Sequence, residues 1–473
     1  MSQERTPLTI PAELDAERTP AVRAFVKVLL ARIESLENEV AELKRRLGQT
    51  PENSSRPPSS QHPHAKTKPR KKPSGKKRGG QPGHERHQRT LVPPEQVTKT
   101  IRLKPPRCRR CGEALAGDDP EPLRHQVFEL PEIQPIITEY QRHRLACRCC
   151  GVHTMAPLPA GVPTGQSGPR LVAFAALLAA YFRQSKRRTA LFLEAFLNLP
   201  CSSGLVVKLQ NLATDALRPC YDELKAALPE AGAVALDETA TKQANRKAWL
   251  WTAVAQDFTV FAVRDTRRAE EAKQLLGEGF AGVVTSDRYV GYDWIQRRQL
   301  CWAHLKRDFQ SLADAGGKAK TIGDKLLGLT GELFHHWHRQ RDGTITRTTM
   351  RRRLRPLWWP VYEALEEGAL TLRGELGGMC RHILDRCDHL WTFLEHPDVE
   401  PTNNASERAL RHAVIWRKLS FGTQSASGSR FVETLLSVIE TCRQQDRNVF
   451  AFVTHALQTH FARKPHQKFL ARA

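Results

Sequence analysis

Three successive apolar runs, a helix, and then a further apolar run predict an α/β chain built on a ribonuclease H-like domain with a helical insertion. The runs are AVALDETATK, KAWLWTAVA and FTVFAVR, read as strands joined by turns, then the helix RRAEEAKQLLG and the strand AGVVTSDRYVGY. Ahead of them the sequence predicts an N-terminal coiled-coil helix, a basic linker and a small zinc-binding domain.

At 473 residues the chain has room for about three domains. Lys plus Arg number 73 against 50 Asp plus Glu, and the net charge of +23 favours a polyanionic partner such as nucleic acid. The charge is uneven: residues 56 to 84 hold nine Lys/Arg and no Asp or Glu. Neither a signal peptide nor an apolar run of about 18 residues is present, so a cytoplasmic, nucleoid-associated protein with no membrane contact is expected. Eleven cysteines, several in C-x-x-C pairs, fit metal ligands in a reducing compartment better than disulfides.

Residues 1–50 hold the first element. Val26, Leu29, Ile33, Leu36, Val40, Leu43 and Leu47 follow the 3,4 spacing of a heptad seam. With Ile33 at position a, Arg32 faces Glu37 and Glu39 faces Lys44 between parallel chains, which predicts a homodimer. A single amphipathic helix docked on the rest of the protein is the alternative. Residues 51–100 form a linker too rich in Pro, Ser, Gly and Lys to fold alone. Within it Lys71, Lys72, Lys76, Lys77 and Arg78 are candidates to contact DNA phosphates without reading sequence. A solvated tether is a compatible role.

Residues 101–158 carry two knuckles, Cys108-Arg-Arg-Cys111-Gly112 and Cys147-Arg-Cys-Cys150-Gly151. Glycine after the second cysteine lets the chain turn so that both thiolates point at one ion. Cys108, Cys111, Cys147 and Cys150 are therefore expected to hold a tetrahedral structural zinc, with Cys149 as a spacer. A redox C-x-x-C or free buried thiols are the competing readings. Residues 159–230 read as helices, PRLVAFAALLAAYF, SKRRTALFLEAFLNL and LVVKLQNLATDAL, with a break at Pro200 to Gly204. They fit a helix-turn-helix for DNA, or plain packing ahead of the next domain.

Residues 231–425 hold three carboxylates of interest. Asp237 ends AVALD, Asp287 ends AGVVTSD, and Glu407 opens a helix behind Asn403 and Asn404, both good N-cap residues. Two carboxylates at strand ends and a third on a helix can converge and hold two divalent cations. RRQLCWAHLKRDFQSLA reads as a short strand running into a helix, residues from about 315 to 400 as a helical insertion, and 426–473 as a C-terminal helical region. Glu238 is expected on the opposite strand face, away from the ions. Asp265 and Asp293 read as surface or turn residues. Cys301 and His304 form a lone pair that is more often structural, with His304 expected to support the site or contact DNA. Arg408 and Arg411 flank Glu407 as DNA-backbone candidates, although Arg411 could instead pair with Glu407. Trp416, Arg417, Lys418 and Phe421 suit unstacked bases, or Trp416 belongs to the core.

DET at Asp237, DRYVGY at Asp287, CWAHLKRDF from Cys301 and NNASERALR around Glu407 resemble the transposases of the insertion-sequence family sixty-six. So do the zipper, NSSRPPSS, KKRGGQPGH and the paired knuckles ahead of them. The resemblance runs from about residue 25 to 455, with the motifs in the family's order. It implies a DDE-type transposase of a bacterial insertion sequence, with the triad on Asp237, Asp287 and Glu407. Two Mg (or Mn) ions at that site would serve both strand cleavage and strand transfer. The implied partners are double-stranded DNA of the element ends and target, a second copy of the chain through the N-terminal helix, and accessory proteins of the element. One departure is Arg288, where the family usually has glycine; it would either contact a phosphate or hamper the site. An inactive or repurposed zinc-containing DNA-binding protein derived from such a transposase is the alternative, and a nuclease without strand transfer is a third reading.

Overall fold

The structure, a computed structural model, describes residues 19–54, 89–466 and 468–470. Lys71, Lys72, Lys76, Lys77 and Arg78 lie outside the described residues, as do the side chains of Glu37 and Lys44. The chain divides into two compact units, one of residues 62–135 and one of 1–61 with 136–473.

In the smaller unit, the Gln126 amide bonds both the N–H and the C=O of Val92, at 2.9 and 3.0 Å. Around the first knuckle, Arg107 bridges Ala114, and Gly112, at φ +78°, donates its N–H to Cys108 O at 3.0 Å.

The larger unit begins with α1 (Pro20–Leu47), on which Leu29, Ile33, Leu36, Val40 and Leu43 are all exposed. Its apolar seam therefore has no partner among the described residues of one chain. β1 (Arg144–Ala146) and β2 (His153–Met155) pair antiparallel around the second knuckle, where Gly151, at φ +71°, repeats the turn of the first. Three helices follow: α2 (Pro169–Ala180), α3 (Lys186–Leu197) and α4 (Ser203–Ala227). Ser185 and Ser202 cap the last two, their hydroxyls accepting from Arg188 N–H at 3.3 Å and Leu205 N–H at 3.1 Å. On α4 the buried positions Val206, Leu209, Ala213, Leu217, Cys220 and Leu224 recur at helical spacing. That face packs on the sheet and the C-terminal helices, as the plain-packing reading of this stretch expects.

The sheet has five strands in the order β5-β4-β3-β6-β7. β3 (Ala233–Gln243), β4 (Arg246–Val254) and β5 (Thr259–Arg264) form an antiparallel meander, and the β3–β4 turn uses Ala244 and Asn245 at positive φ. α5 (Ala269–Leu276) leads to β6 (Val283–Ser286), which pairs parallel to β3, and β7 (Arg298–Leu300) pairs parallel to β6. β7 runs into α6 (Trp302–Ala315), followed by α7 (Gly317–Arg341), α8 (Arg347–Leu354), α9 (Trp358–Thr371), α10 (Gly374–Leu384) and the short α11 (Thr392–Glu395). These helices have their own core around Trp302, Phe309, Leu326, Leu365 and Ile383. The helical block thus starts at Trp302, earlier than the expected 315.

α12 (Asn404–Ser420), α13 (Ala426–Gln444) and α14 (Val449–Phe461) close the chain. α13 covers the β5 edge. Thr441 Oγ1, Ser437 Oγ and Glu433 Oε1 accept from the outward N–H groups of Thr259, Phe261 and Val263 at 3.1, 2.9 and 2.7 Å. Four helical residues advance about 6 Å and two strand residues about 6.8 Å, so the two spacings nearly match. An edge that would otherwise template pairing with another chain is satisfied. One hydrophobic core consequently runs from Val172 to Phe469. The expected boundaries at 230 and 425 do not separate packed units, because α2, α4, α13 and α14 build the same core as the sheet.

Candidate active site

The site gathers where β6 stops short beside β3. The parallel register ends at Ala235 opposite Thr285, so Asp237 and Asp287 follow on neighbouring strands. Asp287 comes immediately after β6, as expected. Asp237 is not at a strand end: β3 continues to Gln243, paired with β4 throughout, and Asp237 stands opposite Thr252. The polar run ETATK carries the same strand on into its hairpin with β4.

Glu407 lies in the first turn of α12, which is fixed to β3 at both ends. Asn403 Nδ2 donates to Leu236 O at 2.9 Å, and Asn403 N–H donates to Cys301 Sγ at 3.1 Å. Asn403 occupies the N-cap position but makes no side-chain cap bond; its amide ties helix to strand instead. At the far end Gly422 has φ +92°, and a Cβ there would meet Lys242 O at 2.4 Å. Only glycine permits that approach, which lets Thr423 N–H reach Lys242 O at 2.9 Å. The insertion leaves and returns at this same place, since Trp302 N–H donates to Pro401 O at 2.9 Å.

The three carboxylates share one field. Asp237 is held well above the usual carboxylate range, first by burial, then by the negative charges of Glu238, Asp287 and Glu407, against one hydrogen bond from Glu238 N–H. Asp287 Oδ1 accepts from Tyr289 N–H at 3.0 Å, and its Oδ2 lies 3.9 Å from Arg267. Glu407 Oε1 lies 3.6 Å from His304 Nδ1 and 3.9 Å from Arg307. Cys301, His304 and Glu407 offer ligand atoms within 4.8 Å of one another. Burial, and then the Arg307 charge, hold the His304 imidazole below its ordinary value and so neutral. Glu407 Oε1, His304 Nδ1 and Arg307 Nε are buried without a hydrogen-bond partner. Mutually repelling carboxylates beside orphaned polar atoms fit hard divalent cations, which would satisfy both.

Several supporting residues escaped the sequence reading. Glu238 does face away, yet it is buried and bonds Tyr292 Oη and Arg267, whose guanidinium lies 3.8 Å over the Tyr289 ring beside Asp287. Arg298, 1% exposed, donates to Ser286 Oγ and Asp293 Oδ1 at 2.9 Å, to Tyr289 O at 3.2 Å and to Asp287 O. Asp293 is thus no bystander on the surface; it also binds Arg386. Arg288 neither reaches into the site nor stands free, because Asp308 takes it in a fork at 2.7 and 3.2 Å. The legible signal was the i, i+3 and i+7 spacing of Cys301, His304 and Asp308 as α6 begins.

Arg408 and Arg411 are exposed, and Glu407's ion-pair partners among the described residues are His304 and Arg307, not Arg411. Trp416 packs partly buried against the core, and Arg417 donates to Thr239 Oγ1 at 3.2 Å. Lys418 and Phe421 are exposed. At the knuckles, the N–H groups of Cys111 and Arg110 lower the Cys108 thiol, and those of Cys150 and Cys149 lower Cys147. Each knuckle by itself presents a pair of free thiols on a glycine turn, a donor type that suits zinc.

A stability prediction follows from Asp237. Because its folded value is raised, the metal-free folded chain holds a proton that the unfolded chain releases, and stability falls as pH rises above the ordinary carboxylate range. Asp237→Asn is expected to raise the Tm of the divalent-free protein by about 2–4 °C at about pH 8, with the gain fading below about pH 4. A lower Tm in chelator at alkaline pH would contradict the crowding of charge.

Residues 164–430 match the model of the transposase IS66 family, and residues 105–151 match the zinc-finger binding domain of transposase IS66. Residues 7–90 match a family of unknown function, DUF6444. The uncharacterized protein y4hP of Sinorhizobium fredii is 26% identical over 77% of this chain and 72% of its own length. The uncharacterized protein y4qI of the same organism is 24% identical over 74% and 69%. No helix among the described residues is long and apolar enough to cross a membrane. With more than half of its length inside the transposase model and the zinc-finger match directly ahead of it, the chain belongs to the IS66 family of transposases.

Proposed function

We propose that the chain cuts DNA at the ends of its element and joins the freed 3′ end to target DNA, at a DDE site within a ribonuclease H-like core. The observation that carries this is the shared field of Asp237, Asp287 and Glu407 beside the orphaned Glu407 Oε1. The strand order, an antiparallel meander followed by two parallel strands, supports the fold.

Asp237, Asp287 and Glu407 would hold two Mg or Mn ions, which when bound make hydroxide available from water near neutral pH and neutralise the departing oxygen. The chain's own residues prepare that site. Asn403 fixes the start of α12 against β3, so Glu407 is presented without a search. Arg298 holds the backbone on both sides of Asp287, and Arg267 screens its carboxylate. Arg307, beside Glu407, supplies a cation for a phosphate oxygen. Arg408 and Arg411 face solvent on the same helix and would meet the DNA backbone, as would Lys71, Lys72, Lys76, Lys77 and Arg78. Labelled element ends incubated with Mg should be cut by the wild type and not by Asp287→Ala. Cutting by both would move the chemistry elsewhere; cutting by neither would leave a DNA-binding protein derived from such a transposase.

Cys108, Cys111, Cys147 and Cys150 are the proposed zinc ligands. Cys147→Ser with Cys150→Ser should abolish bound zinc in metal analysis of the purified protein, whereas undiminished zinc would refute the assignment. The exposed α1 seam is proposed to pair with a second copy. Leu36→Asp is expected to halve the mass measured by light scattering, by placing a charge in the seam; an unchanged mass would leave α1 without that role. Accessory proteins of the element, and residence in the cytoplasm at the nucleoid, complete the reading.

A further inference from the structure

Trp358 and Trp359 open α9 side by side, and both face water, 41% and 56% exposed. The Tyr362 ring stacks on Trp359, with centroids 5.5 Å apart and planes 12° from parallel, and lies 6.3 Å from Trp358. Leu354, Leu357, Val361 and Leu365 form the buried side of the same turns. The three rings therefore make an aromatic strip on the outside of the insertion. Arginine precedes it in the chain: from Arg339 to Trp359 there are seven Arg against one acid, Asp342. Arg352, Arg353 and Arg355 are exposed. Among the described residues the ion-pair partner of Arg355 is Glu395, at 3.5 Å, a carboxylate already taken by Arg351. A surface pair of this kind yields readily to a phosphate. Of the acids beyond the strip, Glu363 lies 3.8 Å from Lys325 and Glu367 3.4 Å from Lys318, while Glu366 is exposed.

Exposed aromatic faces among arginines match one ligand chemistry. Bases in a duplex already cover each other's faces, whereas unpaired bases can stack on an aromatic ring while arginine meets their phosphates. A second copy of the same surface would bring arginine against arginine and be repelled. We propose that Trp358, Trp359 and Tyr362 form a stacking platform for unpaired DNA, with Arg352, Arg353 and Arg355 on its backbone. The platform rests on the reading that the chain acts on DNA, and not on the cleavage chemistry.

The test uses the full chain without divalent cations, at about 0.3 M salt, where phosphate-only contacts are weakened. Trp359→Ala should bind oligothymidylate about tenfold more weakly than wild type, with affinity for a duplex of equal length unchanged. Trp359→Phe should stay within about twofold of wild type, since it keeps an aromatic face. On the unmutated chain, an iodouracil-substituted oligonucleotide should photo-crosslink to Trp358, Trp359 or Tyr362. Equal loss on single strand and duplex, no loss, or crosslinks confined to other segments would overturn the platform. So would an altered oligomer size with unchanged DNA affinity, which would mark a protein interface instead. Because no step requires metal, a chain that binds oligothymidylate through these rings but fails to cut element ends counts against the reaction alone.

Discussion

Glu407→Gln is expected to slow cutting of element-end DNA by about 10³-fold, the equivalent of about 4 kcal/mol of lost transition-state stabilisation. The substitution keeps the shape of the side chain and its closeness to His304 and Arg307. What it removes is a charge, one of the negative charges that hold Asp237 above the usual carboxylate range and that bound cations would offset. A neutral amide is a poor ligand for Mg, so the cations that Glu407 would help to hold, and the charge they would supply to the reacting oxygens, should be lost. Binding to element ends should persist, because the basic segment, Arg408 and Arg411 are untouched. Gel-shift and cleavage assays on one preparation separate these outcomes. Full cleavage by the variant would remove Glu407 from the chemistry, and loss of binding together with cleavage would indicate misfolding.

How much of this was legible depends on whether the signal is local. Asp237 and Asp287 stood out because Val- and Ala-rich runs precede them, and Glu407 because it follows two asparagines at a helix start. Those are properties of adjacent residues. The run AVALDETATK marks nearly the full extent of β3, but Asp237 was placed at its end because Glu238 to Gln243 is polar and owes its strand form to pairing with Arg246 to Trp251. The role of α13 was also hidden. Glu433, Ser437 and Thr441 at four-residue spacing look like a polar stripe facing water, yet they face the N–H groups of β5. Arg288 was misjudged for a related reason: its neighbour in sequence is Asp287, but its partner Asp308 is a full helix start away. Charges are assigned by tertiary contact: spacing can put Cys301, His304 and Asp308 on one face of α6, but it does not say which charge of another element meets them.

Arg298 shows how far that blindness reaches, and its loss should be the largest stability effect in the sheet. The side chain sits on β7, nearly sealed from water, and its guanidinium is shared among Ser286 Oγ, Asp287 O, Tyr289 O and Asp293 Oδ1. Each acceptor belongs to the segment that carries Asp287. Arg298→Met fills the volume but offers no donor, so Ser286 Oγ, Asp287 O and Tyr289 O each lose a bond and keep only the Ser286 hydroxyl on Asp287 O and the Tyr292 N–H on Tyr289 O. Removing one partner of a fully buried ion pair costs about 3–5 kcal/mol, but the Asp293 side chain is 36% exposed. Asp293 keeps Arg386, so the lower end, about 3 kcal/mol, is the better expectation. Arg298→Lys restores the charge but not the planar fork, and should recover less than half of that loss. Cleavage should fall with both variants even at temperatures where they remain folded, because the Asp287 backbone is no longer held. Chemical denaturation with cleavage measured well below the melting range checks both parts. If Arg298→Met lost under about 1 kcal/mol and still cut normally, Asp287 would be positioned by β6 alone, and the bracing network behind it would be incidental packing.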